Sequence, residues 1–237
     1  MAAVYVPKEQ IPIYEGKEDR GLRTGVGKLV FSNGDTYEGE FKNGYRCGKG
    51  VYTYQQGARV YDGEWKLSLR HGKGKETWRT KDISQYSYEG DYIRDKPYGY
   101  GIEQKKQVVY SGEFVNGLRD GSGRMVWPNG DSYDGHWREG RMSGMGKYTT
   151  KIISFISLNY LIRYIRGASG NSYEGNWVNG LRHGRGKEIL TDEVYEGLWK
   201  EGLRHGEGMV IVNAHQRHGV WERGNRVKWT SPEKLIK

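Results

Sequence analysis

The chain has 237 residues, a formal net charge of +9, 13% aromatic residues and 37 glycines against only 5 prolines. That glycine share is about twice the usual ~7%, yet low proline excludes collagen and proline-rich disorder, and 19 tyrosines with 8 tryptophans exclude ordinary disorder, which is poor in aromatics. A single cysteine, Cys47, excludes an internal disulfide and fits a reducing compartment.

The N-terminus, Met1 to Lys8, carries neither an apolar stretch of signal-peptide length nor the glycine after Met1 that myristoylation needs, so cytoplasmic residence is the default expectation. From Tyr14 onward the chain repeats. A Tyr-x-Gly triplet starts at Tyr14, Tyr37, Tyr61, Tyr88, Tyr110, Tyr133, Tyr173 and Tyr195. A Gly-x-Gly follows each, its first glycine 11 positions after the tyrosine, at Gly25, Gly48, Gly72, Gly99, Gly121, Gly144, Gly184 and Gly206. Internal periodicity of this kind decides the fold before any local reading.

Two positions beyond the triplet glycine stands an aromatic ring: Phe41, Trp65, Tyr92, Phe114, Trp137, Trp177 and Trp199, with Glu18 in the first copy. Tyrosine, glycine and ring at i, i+2 and i+4 share one face of a β-strand, and the glycine leaves room for a side chain of a neighbouring repeat to lie against the backbone. Turn chemistry follows at Asn43-Gly44, Asn116-Gly117 and Asn179-Gly180, and then a second strand such as Gly48 to Tyr54. Each unit reads as a β-hairpin, and a further turn, Asn33-Gly34-Asp35 or Asn129-Gly130-Asp131, leads to the next. The repeat-core positions are typified by Tyr37, Gly39, Phe41, Gly48 and Gly50; Tyr61, Gly63, Trp65, Gly72 and Gly74; Tyr133, Gly135 and Trp137; Tyr173, Gly175 and Trp177; and Tyr195, Gly197 and Trp199. One hairpin is at best marginally stable, so burial must come from stacking on neighbours. The expected class is all-β: an elongated single-layer antiparallel sheet of stacked hairpins, a repeat ribbon.

The repeats are not uniform. Residues 1–13 read as an N-terminal extension, 14–146 as six repeats, 147–170 as an inter-repeat segment, 171–225 as two more repeats plus a degenerate capping half-repeat, and 226–237 as a tail. Within the inter-repeat segment, approximately Lys151 to Gly167, an Ile/Leu/Tyr-rich stretch has two readings: a real apolar element such as a docking helix, or translated intron in a gene model, the second preferred. The ribbon is then either continuous or two pieces hinged near 151–167. The apolar run from Ile152 to Ile165 is too short to span a bilayer, which takes about 20 residues. In the tail, Thr230 to Leu235 has a helix-start signature with room for about one turn.

Tyr-Glu-Gly-x-Trp-x-x-Gly-x-Arg-His-Gly-x-Gly, nearly complete at 173–186 and 195–208, resembles the MORN (membrane occupation and recognition nexus) repeat, and the resemblance extends over about 14–225. It implies stacked hairpins of that family and a non-enzymatic scaffold binding protein partners, in a ciliary or axonemal or another cytoskeletal assembly. The alternative it implies is a module on anionic phospholipid.

No catalytic residue, cofactor or metal site emerges. His71, His183 and His205 recur in one repeat slot, which marks a structural or surface role, and the Gly-x-Gly pairs lack the third glycine and strand-turn-helix context of a dinucleotide loop. Arg23, Arg46, Arg70, Arg119, Arg182 and Arg204 recur two positions before the paired glycine and are expected to pair with the acidic residue after each tyrosine, Glu15 through Glu196. A second basic set, Lys28, Lys75, Arg124, Lys147 and Lys187, has no matching acidic slot and is the candidate stripe for an anionic partner. Nucleic acid is not expected as a partner, and a homodimer through unpaired terminal strand edges is one expectation for assembly.

Overall fold

A computed structural model describes residues 12–54, 57–79, 85–151 and 170–236. The apolar stretch at 152–169 therefore lies outside the described residues, and neither reading of it is addressed. The chain forms two compact units, residues up to 107 together with 113–117, and 108–112 together with 118 onward. Each is a single-layer antiparallel sheet, and every described strand pair is antiparallel.

In the first unit the strands are β1 (Ile13–Asp19), β2 (Leu22–Val30), β3 (Thr36–Lys42), β4 (Tyr45–Tyr54), β5 (Arg59–Lys66), β6 (Leu69–Arg79), β7 (Gln85–Ile93) and β8 (Lys96–Lys105), paired in chain order. Strand β9 (Val108–Val115) contributes residues to both units. In the second unit, β10 (Leu118–Val126), β11 (Ser132–Arg138), β12 (Arg141–Thr149), β13 (Ser172–Val178), β14 (Leu181–Ile189), β15 (Glu193–Lys200), β16 (Leu203–Val212), β17 (His215–Glu222) and β18 (Asn225–Trp229) again pair in order. Strands β12 and β13 pair from Gly144↔Trp177 to Thr149↔Ser172, so no break in the sheet falls at 151–167.

Two local rules build each hairpin. The tip is a two-residue turn with both residues at positive φ, for example Asn43 (50°) and Gly44 (82°), the geometry that matches strand twist. Beyond the tip the register slips: Gly39 faces Gly50 while Glu40 faces Cys47, so Gly48 and Lys49 bulge on the β3 side yet pair regularly with Trp65 and Glu64 on β5. Gly48 sits at φ +55°, which explains why the first member of each glycine pair is glycine.

The degenerate half-repeat is a full ninth hairpin, β17 and β18, with Trp221 buried in the ring slot. The tail corrects the expected helical turn. Strand β19 (Lys234–Leu235) pairs with β17, and the Ser231 hydroxyl accepts the His218 N–H at 2.9 Å instead of capping a helix. Strand β19 covers the start of β17 at His215 and Gln216, an edge that a single helical turn would leave unpaired.

Candidate interaction surfaces

Alternation along the strands gives each sheet two unlike faces. On the aromatic face the tyrosines at 37, 61, 88, 110, 133 and 195 are fully buried, and Phe41, Trp65, Trp137, Trp177 and Trp199 nearly so. Each tyrosine bends over its own strand. The Tyr37 hydroxyl donates to the Glu40 carbonyl at 3.1 Å, and Tyr61, Tyr133, Tyr173 and Tyr195 repeat the bond three residues on. The ring thereby covers Gly39 and its cross-strand partner Gly50, where any Cβ would overlap it. So the space beside the glycine holds the repeat's own tyrosine, and the side chain of a neighbouring repeat expected there contacts the tyrosine ring instead.

That neighbour is the next repeat's ring. Tyr37 meets Phe41 at 5.1 Å and Trp65 at 5.4 Å, both edge to face. The Trp65 indole N–H donates to the Gly50 carbonyl at 2.9 Å, as Trp137 does to Gly123, Trp177 to Gly146 and Trp199 to Gly186. Where the ring is a tryptophan, repeats are thus stapled by ring contacts and one hydrogen bond. Burial pushes the phenol pKa of Tyr133, Tyr173 and Tyr195 up to about 12, and raises Tyr37, Tyr61 and Tyr88 further.

The loop arginines do not pair with the acid after each tyrosine. They lie over the rings: Arg46 is 4.4 Å from the Trp65 centroid, Arg182 is 4.2 Å from that of Trp199, and Arg204 is 4.5 Å from that of Tyr195. Arg23, Arg70 and Arg119 sit over Tyr14, Tyr61 and Tyr110 in the same way. A planar, weakly hydrated guanidinium suits a ring face and closes the row against water. Two carboxylates that pair with them occupy a position two residues after the glycine pair, while Asp95 also pairs with Arg70 and Glu193 with Arg204. Glu76, almost fully buried, bridges Arg59 and Arg70, and Glu188 bridges Arg182 and Arg204. Aligning the repeats on the tyrosine would have exposed this slot, filled in turn by Leu29, Tyr52, Glu76, Glu103, Met125, Tyr148, Glu188 and Val210.

The opposite face corrects the second basic set. Lys28 pairs with Glu38 at 2.6 Å, Lys75 with Glu89 at 3.0 Å, Lys147 with Glu174 at 3.3 Å and Lys187 with Glu196 at 3.8 Å; Arg124 lies opposite Asp134 in the register. The acids after the tyrosines are therefore the cross-strand partners of this set. From Arg124 through Asp134, Lys147, Glu174, Lys187 to Glu196 the signs alternate and cancel. Each exposed pair contributes little to stability. Beside the ladder, in the second unit, runs an open groove of about 1000 Å³ with Gly175, Gly186, Gly197 and Gly208 on its floor. Met145, Leu198 and Arg185 lie along it, the first two with much of their apolar surface exposed.

Among the described residues no cluster of three His, Cys, Asp or Glu could hold a metal ion, and no helix is long and apolar enough to cross a membrane. The Cys47 thiol is half-buried, and burial, then Glu40, raise its pKa.

Comparison with known proteins agrees with this geometry. The chain is 34% identical over 104 residues to MORN repeat-containing protein 3 of Xenopus laevis, a match covering 43% of this chain and 44% of that protein. The MORN repeat model matches residues 14–36, 37–59, 61–83, 88–106, 110–132, 133–151, 173–193 and 195–210. With most of its length in eight such matches, each a tyrosine-over-glycine hairpin, this chain belongs to the MORN repeat family.

Proposed function

We propose that this protein is a non-enzymatic scaffold whose open sheet faces bind segments of other proteins. The observation that carries the reading is the glycine-floored groove of about 1000 Å³, walled by charges of both signs and by exposed Met145 and Leu198. An extended segment laid there meets apolar surface between alternating charges, a mixture that suits polypeptide better than a uniformly anionic ligand. Cys47 supports the non-enzymatic part, since its raised pKa is the reverse of what a nucleophilic thiol needs. A ciliary, axonemal or other cytoskeletal assembly in the cytoplasm is the setting we favour, on the family resemblance. Proximity labelling in ciliated cells, followed by reconstitution of the enriched partner with wild-type protein and a Leu198→Glu, Met145→Glu variant, tests it. We expect the wild type to bind and the variant to lose at least tenfold in affinity. Diffuse labelling with no reconstitutable partner removes the reading.

Peripheral binding to anionic lipid is the weaker alternative, because the lysines that would drive it already face carboxylates. Cosedimentation with phosphatidylserine vesicles at low salt decides it, with no pelleting expected.

A further inference from the structure

On the aromatic face the strand register defines one slot per hairpin: the residue opposite the ring position. Arg46 fills it opposite Phe41, Arg70 opposite Trp65, Arg182 opposite Trp177 and Arg204 opposite Trp199. Opposite Trp137 the slot holds Met142, and opposite Tyr92 it holds Pro97.

The second repeat shows what the slot is built for. The Arg46 guanidinium lies 4.4 Å from the Trp65 centroid, 4.9 Å from Tyr52 and 5.6 Å from Tyr37, and donates to the Ser68 carbonyl at 2.8 Å. The sixth repeat has the same three rings, Trp177, Tyr148 and Tyr133. Tyr133 is 5.5 Å from Trp177, against 5.4 Å for Tyr37 and Trp65; Tyr148 is 6.5 Å from Trp177, against 6.0 Å for Tyr52 and Trp65. The outer tyrosine is held alike, Tyr148 donating to Asp131 at 2.7 Å as Tyr52 does to Asp35 at 3.0 Å. The turn also matches, since Gly180 donates its N–H to the Met142 carbonyl as Ser68 does to that of Arg46. The guanidinium is what differs. Around Met142 there is instead an open cleft of about 430 Å³, lined by Tyr148, Tyr173, Trp177, Arg182 and Glu188. The size is that of a small-ligand site.

We propose that this cleft receives an arginine side chain from a protein partner, its guanidinium stacked on Trp177 and Tyr148 as Arg46 is on Trp65 and Tyr52. Arg182 is no barrier, because it is paired to Glu188 just as Arg70, the neighbour of Arg46, is paired to Glu76. The chain already holds an arginine beside such a pair. A flat, weakly hydrated guanidinium fits between two ring faces, whereas a lysine ammonium keeps more of its water. The proposal rests on the scaffold reading only in assigning the arginine to a partner, and it concerns the face opposite the glycine-floored groove.

The test uses the full ¹⁵N-labelled chain titrated with acetyl-arginine amide and acetyl-lysine amide, followed at the Trp177 indole N–H. We expect a saturable shift in the millimolar range with arginine and binding about fivefold weaker with lysine. Met142→Arg, which installs the side chain that six other repeats carry at this position, and Met142→Phe, which fills the cleft without charge, should each abolish the shift. No saturable shift in the wild type, or an undiminished shift in either variant, overturns the proposal. So does a response seen only after Arg163→Ala and Arg166→Ala, which would assign the cleft to the chain's own arginines. None of these readouts needs a protein partner, so a missing arginine response leaves the scaffold reading intact. Failure to find a partner, conversely, leaves the measured cleft chemistry intact.

Discussion

The ring of Tyr61 lies on the Cα of Gly74, the glycine across the strand pair, and its hydroxyl turns back to the Glu64 carbonyl at 3.0 Å. Tyrosine and glycine are one structural element: the ring needs a residue without a Cβ beneath it. Gly74→Ala should therefore lower the unfolding free energy by about 3 kcal/mol, the upper end for overpacking a filled site. Gly34→Ala, where φ is +85° but the space is open, should cost only about 1 kcal/mol. Urea denaturation of both variants checks the ordering, and equal losses would mean that backbone geometry, not the tyrosine, selects these glycines.

The Trp65 indole N–H bonded to the Gly50 carbonyl predicts a cost for Trp65→Phe of about 1–2 kcal/mol, the hydrogen bond plus part of the stacking with Arg46. Amide exchange should report faster opening in the repeat beginning at Tyr37 as well as in the one mutated, because the bond crosses between them.

Tyr92 occupies a ring slot, and its buried hydroxyl has no hydrogen-bond partner among the described residues. Tyr92→Phe should leave the fold intact and raise stability by about 1 kcal/mol, since an unsatisfied buried polar group is removed without loss of volume. A rise in thermal midpoint confirms this, while a fall would reveal a partner for that hydroxyl.

Alkaline pH should unfold the protein steeply. Burial raises the phenol pKa of Tyr133, Tyr173 and Tyr195 from 10.0 to about 12. A raised folded-state pKa means that the stabilisation is complete below about pH 10 and is lost as pH climbs toward 12, because only the unfolded chain releases these protons. Stability measured against pH, alongside tyrosinate absorbance, should show ionisation and unfolding together. Ionisation well before unfolding would contradict the burial.

The hairpin array was legible in the sequence because its signals are local. Tyr-x-Gly followed by the ring position fixes a strand face, Asn43-Gly44 fixes a turn, and the constant tyrosine-to-glycine spacing fixes the hairpin length. The tail was misread for the same reason: Ser231-Pro232 looks like a helix start until its partner strand β17 is in place.

What the amino-acid order alone determined is the fold class, the repeat boundaries and which positions carry rings, glycines and arginines. The tertiary structure decided how those positions meet. The arginines lie on rings and not on the acids after the tyrosines, and those acids instead neutralise the Lys28 to Lys187 stripe. The two-residue turn at Asn43-Gly44 brings Arg46 opposite Phe41, and the unbroken register between hairpins, Gly27 opposite Gly39, brings Lys28 opposite Glu38. A spacing counted along one strand carries no record of which residue will stand across from it.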